Sequence, residues 1–153
     1  HEKEKIISEM QHEAEGLSEY NLLLTIPGFG VRTVTSLIGE LGDIRRFHSS
    51  NALNAYIGID LRHYESGNFV ATDHISKRGN AIARKILFKS IQNIAVAGHF
   101  HPNHINDFYQ KRKKQSSQPG TKKIAIAAIH RLLRTIYHLV KYNQPYNYQI
   151  AKV

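Results

Sequence analysis

The sequence contains no cysteine, and this absence excludes disulfide bonds and metal sites built on thiolates. Long apolar runs are also missing. Runs such as residues 124–129 are far shorter than the roughly 20 residues that a membrane-spanning helix needs. No segment resembles a secretory signal peptide. We therefore expect a protein without membrane contact that is located in the cytoplasm.

Acidic side chains are scarce in the C-terminal part of the chain. Residues 99–144 hold nine lysines and arginines and a single acidic residue, Asp107, whereas residues 1–20 hold six glutamates and two lysines. The formal net charge of the 153 residues is +9. Positive charge concentrated in one region favours a polyanionic partner, most often a nucleic acid. A solvated basic face without a partner is the alternative.

Apolar periodicity predicts a mainly α-helical fold. Helices are expected over residues 2–19, 33–41, 52–57, 81–97 and 121–142. Gly16 is a candidate break in the first of these, because glycine weakens a helix. Ser49 or Ser50 can cap the third, and Gly42 can end the second. The helix over 81–97 is apolar around much of its circumference, which predicts a position at the centre of the core.

Three segments lack a helical pattern. Residues 59–76 have irregular apolar spacing and contain the turn-forming Ser66-Gly67-Asn68, which predicts a loop or a short β-hairpin. Residues 115–120, QSSQPG, have the composition of a flexible linker. We expect the tail from Pro145 to be irregular.

A Pro-Gly-Phe-Gly motif at residues 27–30 follows a dense apolar run. No Lys-Ser/Thr pair follows its second glycine and no strand–helix–strand unit surrounds it, so neither a P-loop nor a dinucleotide-binding loop fits. A tight turn between two helices is the remaining interpretation. Gly28 and Gly30 allow unusual backbone conformations, and they leave amide groups bare at a helix N-terminus, where an anion binds favourably.

This motif resembles the helix-hairpin-helix of DNA-repair and recombination proteins, here over residues 20–42. The resemblance implies that backbone amides grip a DNA phosphate without reading sequence. The DNA contacts expected at this turn are Pro27, Gly28, Phe29, Gly30 and Arg32. A structural hairpin that touches no DNA is the alternative.

Two further basic groups are candidate phosphate contacts. The first precedes and enters the helix that starts near residue 81, and consists of Lys77, Arg78 and Arg84. The second is the run Lys111, Arg112, Lys113 and Lys114. Ordinary solvated charges are the alternative in both places.

Motifs for catalysis and metal binding are weak when judged by spacing alone. Ser66 beside Gly67 is a common turn pair, and no His/Asp constellation or GxSxG elbow marks it as a nucleophile. His99, His101 and His104 lack a nearby carboxylate cluster, and solvated loop histidines are the simpler interpretation. Other acidic residues are scattered along the sequence, so we expect no metal site in this chain.

Taken in order, several pieces of sequence resemble the C-terminal domain of IS110/IS116/IS902-type transposases over about residues 20–147. The pieces are LLLTIPGFGVRTVTSLIGELGDIRRF, ALNAYIGI, YESG, ISKRGNAIARKILFKSI, FYQKRKKQ and KKIAIAAIHRLLRTIYHLVKYNQPY. Residues 1–19 then correspond to the end of a connecting coiled-coil helix, and residues 148–153 form a tail. Ser66 matches by position the serine nucleophile that the family carries next to a glycine.

The resemblance also implies partners outside this chain. It implies an N-terminal RuvC-like domain whose four acidic ligands hold a divalent metal such as Mg²⁺, with no cofactor in the present residues. It implies action on duplex DNA with an element-encoded guide RNA, by a homo-oligomer near the bacterial or archaeal nucleoid. We therefore expect a DNA-binding domain that is inactive alone. A non-catalytic helix-hairpin-helix module of a repair or recombination protein is the alternative, and an RNA-binding structural protein is a third hypothesis.

Overall fold

The computed structural model describes residues 1–59, 79–117 and 122–151. Every regular element within these ranges is helical, which confirms the mainly α prediction. The elements are α1 (Glu2–Glu15), α2 (Ser18–Leu24), α3 (Val31–Leu41), a 3-10 turn (Ile44–Arg46), α4 (Ser50–Ile57), α5 (Ala81–Ala97), α6 (His104–Gln115), α7 (Lys122–Tyr142) and α8 (Tyr148–Ala151). Apart from Ile59, the expected loop or β-hairpin over 59–76 lies outside the described residues.

Helix α7 lies at the centre of the core. It packs against α2, α4, α5, α6 and the 3-10 turn, and its side chains Leu132, Leu133 and Ile136 are fully buried. The broad apolar stripe of this helix meets neighbours on several sides, as a wide stripe requires. The hydroxyl of Tyr137 extends this contact, because it donates a buried hydrogen bond of 3.0 Å to the carbonyl of Phe47.

Helix α5 contributes to the core, as the sequence predicted, but some of its apolar side chains face solvent. It buries Ala83, Leu87 and Ile91 but leaves Ile82 59% exposed and Val96 66% exposed. Periodicity identifies apolar faces on a helix, but it does not say how many of them receive a neighbour. Helices α3, α4, α6 and α7 pack against α5.

Several element boundaries also differ from the prediction. The helix expected over 2–19 is divided at Gly16, the candidate break, and α2 begins after Leu17, which has an extended conformation. Helix α6 was not predicted, although Asn103 before it is a typical N-cap and accepts a hydrogen bond of 2.8 Å from the amide of Asn106. The tail is not irregular throughout, because it contains α8.

Candidate nucleic-acid interface

The Pro-Gly-Phe-Gly motif forms the turn between α2 and α3. The amide of Phe29 donates to the carbonyl of Ile26 at 3.0 Å, and the side chains of both residues are buried. Helices α2 and α3 flank the turn, and the assignment of this pair as a helix-hairpin-helix remains a prediction. Contact between this turn and DNA stays a prediction. The apolar positions of the motif belong to the core.

The two glycines of the motif have different surroundings. Gly28 has a φ of +91°, and a Cβ added there would lie 2.8 Å from the Cα and the amide nitrogen of Ile94 in α5. Gly30 has a φ of −100°, and an added Cβ would meet nothing within 4 Å. Gly28 is therefore required by close packing of the turn on α5. The open face of the turn lies at Gly30.

An anion could approach the turn at the N-terminus of α3. Gly30 is the N-cap of this helix and provides no side-chain hydrogen bond, so amides of the first turn remain available. The side chain of Arg32 is in the same turn and is exposed. Among the five residues expected here, Gly30 and Arg32 have the exposure that a phosphate contact needs, and Pro27 is half-buried.

The described residues on the two sides of the segment 60–78 lie next to each other. A Cβ on Gly79 would lie 2.6 Å from the carbonyl oxygen of Ile57 and 2.7 Å from Gly58. The amide of Asn80 donates to the carbonyl of Tyr56 at 3.2 Å. We call the four residues Gly58, Ile59, Gly79 and Asn80 the neck. The sequence between Ile59 and Gly79, which is outside the described residues, contains Ser66, Lys77 and Arg78.

Side chains from α3 and α5 and the side chain of Asn80 hold the neck. Asn80 caps α5 by accepting from the amide of Ala83 at 2.9 Å, and its Nδ2 donates to Oε2 of Glu40 in α3 at 2.9 Å. A guanidinium nitrogen of Arg84 donates to the carbonyl of Ile57 at 2.9 Å. Arg84, which the sequence suggested as a phosphate contact, thus binds the end of α4. Neither Glu40 nor Asn80 was identified from the sequence, although Asn80 stands at a recognisable N-cap position.

Replacing Gly79 with alanine should destabilise the protein by about 2–4 kcal/mol, because the added methyl group meets backbone atoms at a φ of +104°. Urea unfolding followed by circular dichroism measures this change. Gly16→Ala is the matched control, because Gly16 has a φ of −77° and its nearest atom to an added Cβ is 3.6 Å away. Equal unfolding midpoints for the two variants would contradict the close packing of Gly79 against Ile57 and Gly58.

The basic run at 111–114 lies on the last turns of α6, where all four side chains are exposed. Helix α6 runs antiparallel to α7, because His104 contacts Thr135 whereas Phe108, one turn later, contacts the earlier residue Arg131. The acidic residue of this region, Asp107, accepts a hydrogen bond of 2.7 Å from the hydroxyl of Tyr148. The two helices therefore present a basic surface to solvent.

His104 is not a solvated loop histidine, in contrast to the interpretation from sequence. Its Nδ1 lies 2.8 Å from the hydroxyl oxygen of Tyr146, its Nε2 lies 3.2 Å from Oγ1 of Thr135, and its ring stacks on that of Tyr146. His99 and His101 are exposed, as expected. Burial lowers the pKa of His104, and the positive charge of Arg131 lowers it further.

The lowered pKa of His104 makes stability depend on pH. The unfolded chain binds a proton at His104 more readily than the folded chain, so this contribution is complete above the unfolded pKa of about 6.5 and is lost as pH falls below it. We expect acidification from neutral pH to destabilise His104→Gln less than the wild type. Urea titrations at several pH values measure the difference. His99→Gln is the control, and the proposed linkage fails if both variants follow the same pH profile.

The described residues contain no group of three or more His, Asp or Glu side chains that could hold a metal ion. These residues therefore offer no ligand set for the Mg²⁺ that the resemblance assigns to another domain. In the same parts of the chain, no helix combines the length and the apolar character needed to cross a bilayer.

Comparison with known proteins gives a consistent set of similarities. The family model for "Transposase IS116/IS110/IS902 family" matches residues 20–110. The chain is 35% identical to the "Pilin gene-inverting protein" of Moraxella bovis over 133 residues, which are 85% of this chain and 39% of the relative. It is also 35% identical to the "Transposase for insertion sequence element IS1111A" of Coxiella burnetii over 89 residues, 56% of this chain and 24% of that relative. The chain thus matches well under half the length of these relatives.

Proposed function

Because this chain belongs to the IS116/IS110/IS902 transposase family, we propose that it binds DNA as the C-terminal domain of a transposase and supplies Ser66 as the nucleophile for strand cleavage and exchange. The observation that carries this proposal is the family match over residues 20–110, which includes the YESG segment around Ser66. The relatives are a transposase and a gene-inverting protein, so the alternative of a repair-type binding module is not favoured.

The proposed chemistry is transesterification. The hydroxyl oxygen of Ser66 attacks a phosphodiester phosphorus, a serine–phosphate bond forms, and the bond from phosphorus to a deoxyribose oxygen breaks. The serine proton passes to a base, and the leaving oxygen takes up a proton. Attack by the hydroxyl of another strand then reverses these bonds and frees Ser66. The relatives named for gene inversion support such a scheme, because inverting a gene requires strands to be cut and rejoined.

Cationic groups near Ser66 in sequence would stabilise the charge that develops on the phosphoryl oxygens. Lys77 and Arg78 are the nearest candidates, and they directly precede Gly79 in the sequence. Arg84 acts differently in this proposal, because its guanidinium already donates to the carbonyl of Ile57. We assign it the role of a positioning residue that holds the base of the Ser66 segment.

The proposed phosphate contact at Gly30 and the neck lie at opposite ends of α3. Gly30 begins α3, whereas Glu40 near its other end binds the neck. A helix of 11 residues is about 16 Å long at about 1.5 Å per residue. This length corresponds to about five base-pair steps of about 3.4 Å along a DNA strand. A duplex held at Gly30 and running along α3 would therefore bring a phosphate close to the neck from which the Ser66 segment extends.

The complete reaction needs components beyond this chain in our proposal. An N-terminal RuvC-like domain would hold the divalent metal, an element-encoded guide RNA would direct the protein to DNA, and the full-length protein would act as a homo-oligomer. The support for these components is the family membership, together with relatives that are much longer than the matched region.

Trapping a covalent protein–DNA adduct tests this function. Full-length protein is incubated with guide RNA and labelled duplex, denatured during the reaction and digested, and the attached residue is mapped by mass spectrometry. We expect the DNA phosphate on Ser66. An adduct on another residue would contradict the assignment. A protein that binds structured RNA but no duplex DNA across a salt series would favour an RNA-binding structural protein.

A further inference from the structure

Two arginines lie near one aromatic ring on the surface formed by α6 and α7, and a third arginine lies close to one of them. The guanidinium carbon of Arg131 lies 4.1 Å from the centroid of the Phe108 ring, and that of Arg112 lies 5.2 Å from the same centroid. Arg134 follows Arg131 by about one helical turn, which puts the two side chains on neighbouring positions of α7. We call Arg112, Arg131 and Arg134, with Phe108, the arginine cluster.

Carboxylates do not neutralise this cluster within the described parts of the chain. The ion pairs found there within 4.0 Å both belong to Arg45, with Glu19 and Asp43 as partners. Asp107, the acidic residue of α6, is hydrogen-bonded to Tyr148, and α7 has no acidic residue. Among the described residues, therefore, no ion pair with a carboxylate offsets the repulsion between these arginines.

The pKa of Arg131 responds to this crowding. Burial lowers it most, and the charges of Arg134 and Arg112 lower it further. Placing like charges together destabilises a folded protein, and a bound anion removes that destabilisation. Geometry and charge thus both indicate that the arginine cluster is more stable with an anionic ligand bound than in the free protein.

Further positive charge extends the cluster along the two helices. Lys122 and Lys123 begin α7, where a cation is unfavourable next to the positive end of the helix dipole. Because α6 and α7 are antiparallel, this end of α7 lies beside the end of α6 that carries Lys113 and Lys114. From position 122 to 134 the helix rises about 18 Å at about 1.5 Å per residue. Such a length matches a run of several backbone phosphates rather than one small anion.

We propose that the arginine cluster binds a backbone phosphate of a nucleic acid and that the basic surface of α6 and α7 follows the strand from there. This inference rests on the proposed function only in taking a nucleic acid as the partner. Phe108 acts as a positioning residue: guanidinium planes that stack on its ring keep their N–H edges free for phosphate oxygens. Arg131, Arg134 and Phe108 had no signal in the sequence that set them apart from other surface or core residues.

Charge removal tests the cluster. The double variant Arg131→Gln/Arg134→Gln is compared with Lys3→Gln/Lys5→Gln, which removes the same charge from the exposed acidic helix α1. Full-length protein is titrated into labelled duplex DNA and, separately, into a hairpin RNA, from about 50 to about 300 mM salt. We expect the arginine variant to bind at least one of them about 10- to 100-fold more weakly, with a salt slope smaller by about 1–2. The nucleic acid with the larger loss is the partner of the cluster.

Phe108→Leu tests the positioning role, because it keeps an apolar side chain and removes the ring face. We expect binding that is weaker by a few-fold at an unchanged salt slope, since the charges remain. Melting by circular dichroism checks that the variant is folded, and Arg131→Lys, which keeps the charge but not the planar fork, should fall between the wild type and Arg131→Gln. Wild-type affinity in Phe108→Leu would overturn the role of the ring.

The outcomes separate this inference from the proposed function. If the arginine and lysine double variants bind alike, or if the wild type binds neither nucleic acid, the cluster proposal is overturned. If the arginine variant alone loses affinity while no adduct forms on Ser66 in the wild type, the cluster is supported and the catalytic proposal fails.

Discussion

Ser66→Ala is expected to abolish strand exchange by the full-length transposase while its affinity for DNA stays unchanged. Removing the attacking oxygen leaves no atom on which the cleaved strand can be held, so both cleavage and rejoining are lost. The reduction should reach roughly 10⁴- to 10⁶-fold, the range seen when a covalent nucleophile is deleted. Recombination products are quantified by amplification across the new junctions, and DNA affinity is measured in parallel.

Ser8→Ala is the matched control, because Ser8 is an exposed serine on α1. It should recombine DNA at the wild-type rate. Ser66→Ala that still recombines DNA would refute the nucleophile, whereas Ser66→Ala that loses DNA binding would mean that the residue supports structure rather than chemistry. Failure to trap the adduct in Ser66→Ala, together with trapping in Ser8→Ala, would give independent support for Ser66 as the nucleophile.

A large effect on stability is also expected from Gly28→Ala. An alanine at a φ of +91° is strained, and its Cβ would lie 2.8–2.9 Å from the backbone of Asn93 and Ile94, which cannot give way as a flexible side chain can. Strain and overpacking together should lower the free energy of unfolding by about 3–5 kcal/mol. For a small domain this is a large share of the total of about 5–15 kcal/mol. Urea unfolding measures it.

Gly30→Ala, two residues away in the same motif, provides the comparison. Its φ of −100° suits alanine and an added Cβ meets open space, so the loss of stability should be limited to about 1 kcal/mol or less, the cost of alanine at an N-cap. Under our proposal the added methyl group stands where a phosphate would approach α3, so DNA affinity should fall. Equal stability of the two variants would contradict the packing of the turn on α5. Unchanged DNA affinity of Gly30→Ala would contradict the proposed phosphate contact at the N-terminus of α3.

Local signals in the sequence were sufficient for much of the fold. Ser49 was a candidate cap and does accept a hydrogen bond from the amide of Ala52 at 3.1 Å, and Gly42 and Gly58 end their helices. These features depend on residues within one or two turns of each other, which is the range that spacing and capping rules cover. Helix α6 was overlooked because its charged composition concealed a valid N-cap at Asn103.

The candidate site was less accessible from sequence. His104 and Thr135 are 31 positions apart and Asn80 and Glu40 are 40 apart, so no local rule connects them. The same applies to the engagement of Arg84 with Ile57, which changed a candidate phosphate contact into a positioning residue in our proposal. Such pairs form only after helices have packed.

The sequence by itself determined the helical class, the concentration of basic charge and the transposase family, because composition, helical spacing and ordered motifs are properties of the linear chain. Only the tertiary structure decided that Gly28 packs against α5 while Gly30 faces solvent, and that Phe108 and Arg131 meet. A local sequence rule does not distinguish two glycines of one motif, or two arginines of one chain. Contacts with distant segments distinguish them, since burial and pairing depend on what the folded chain brings alongside.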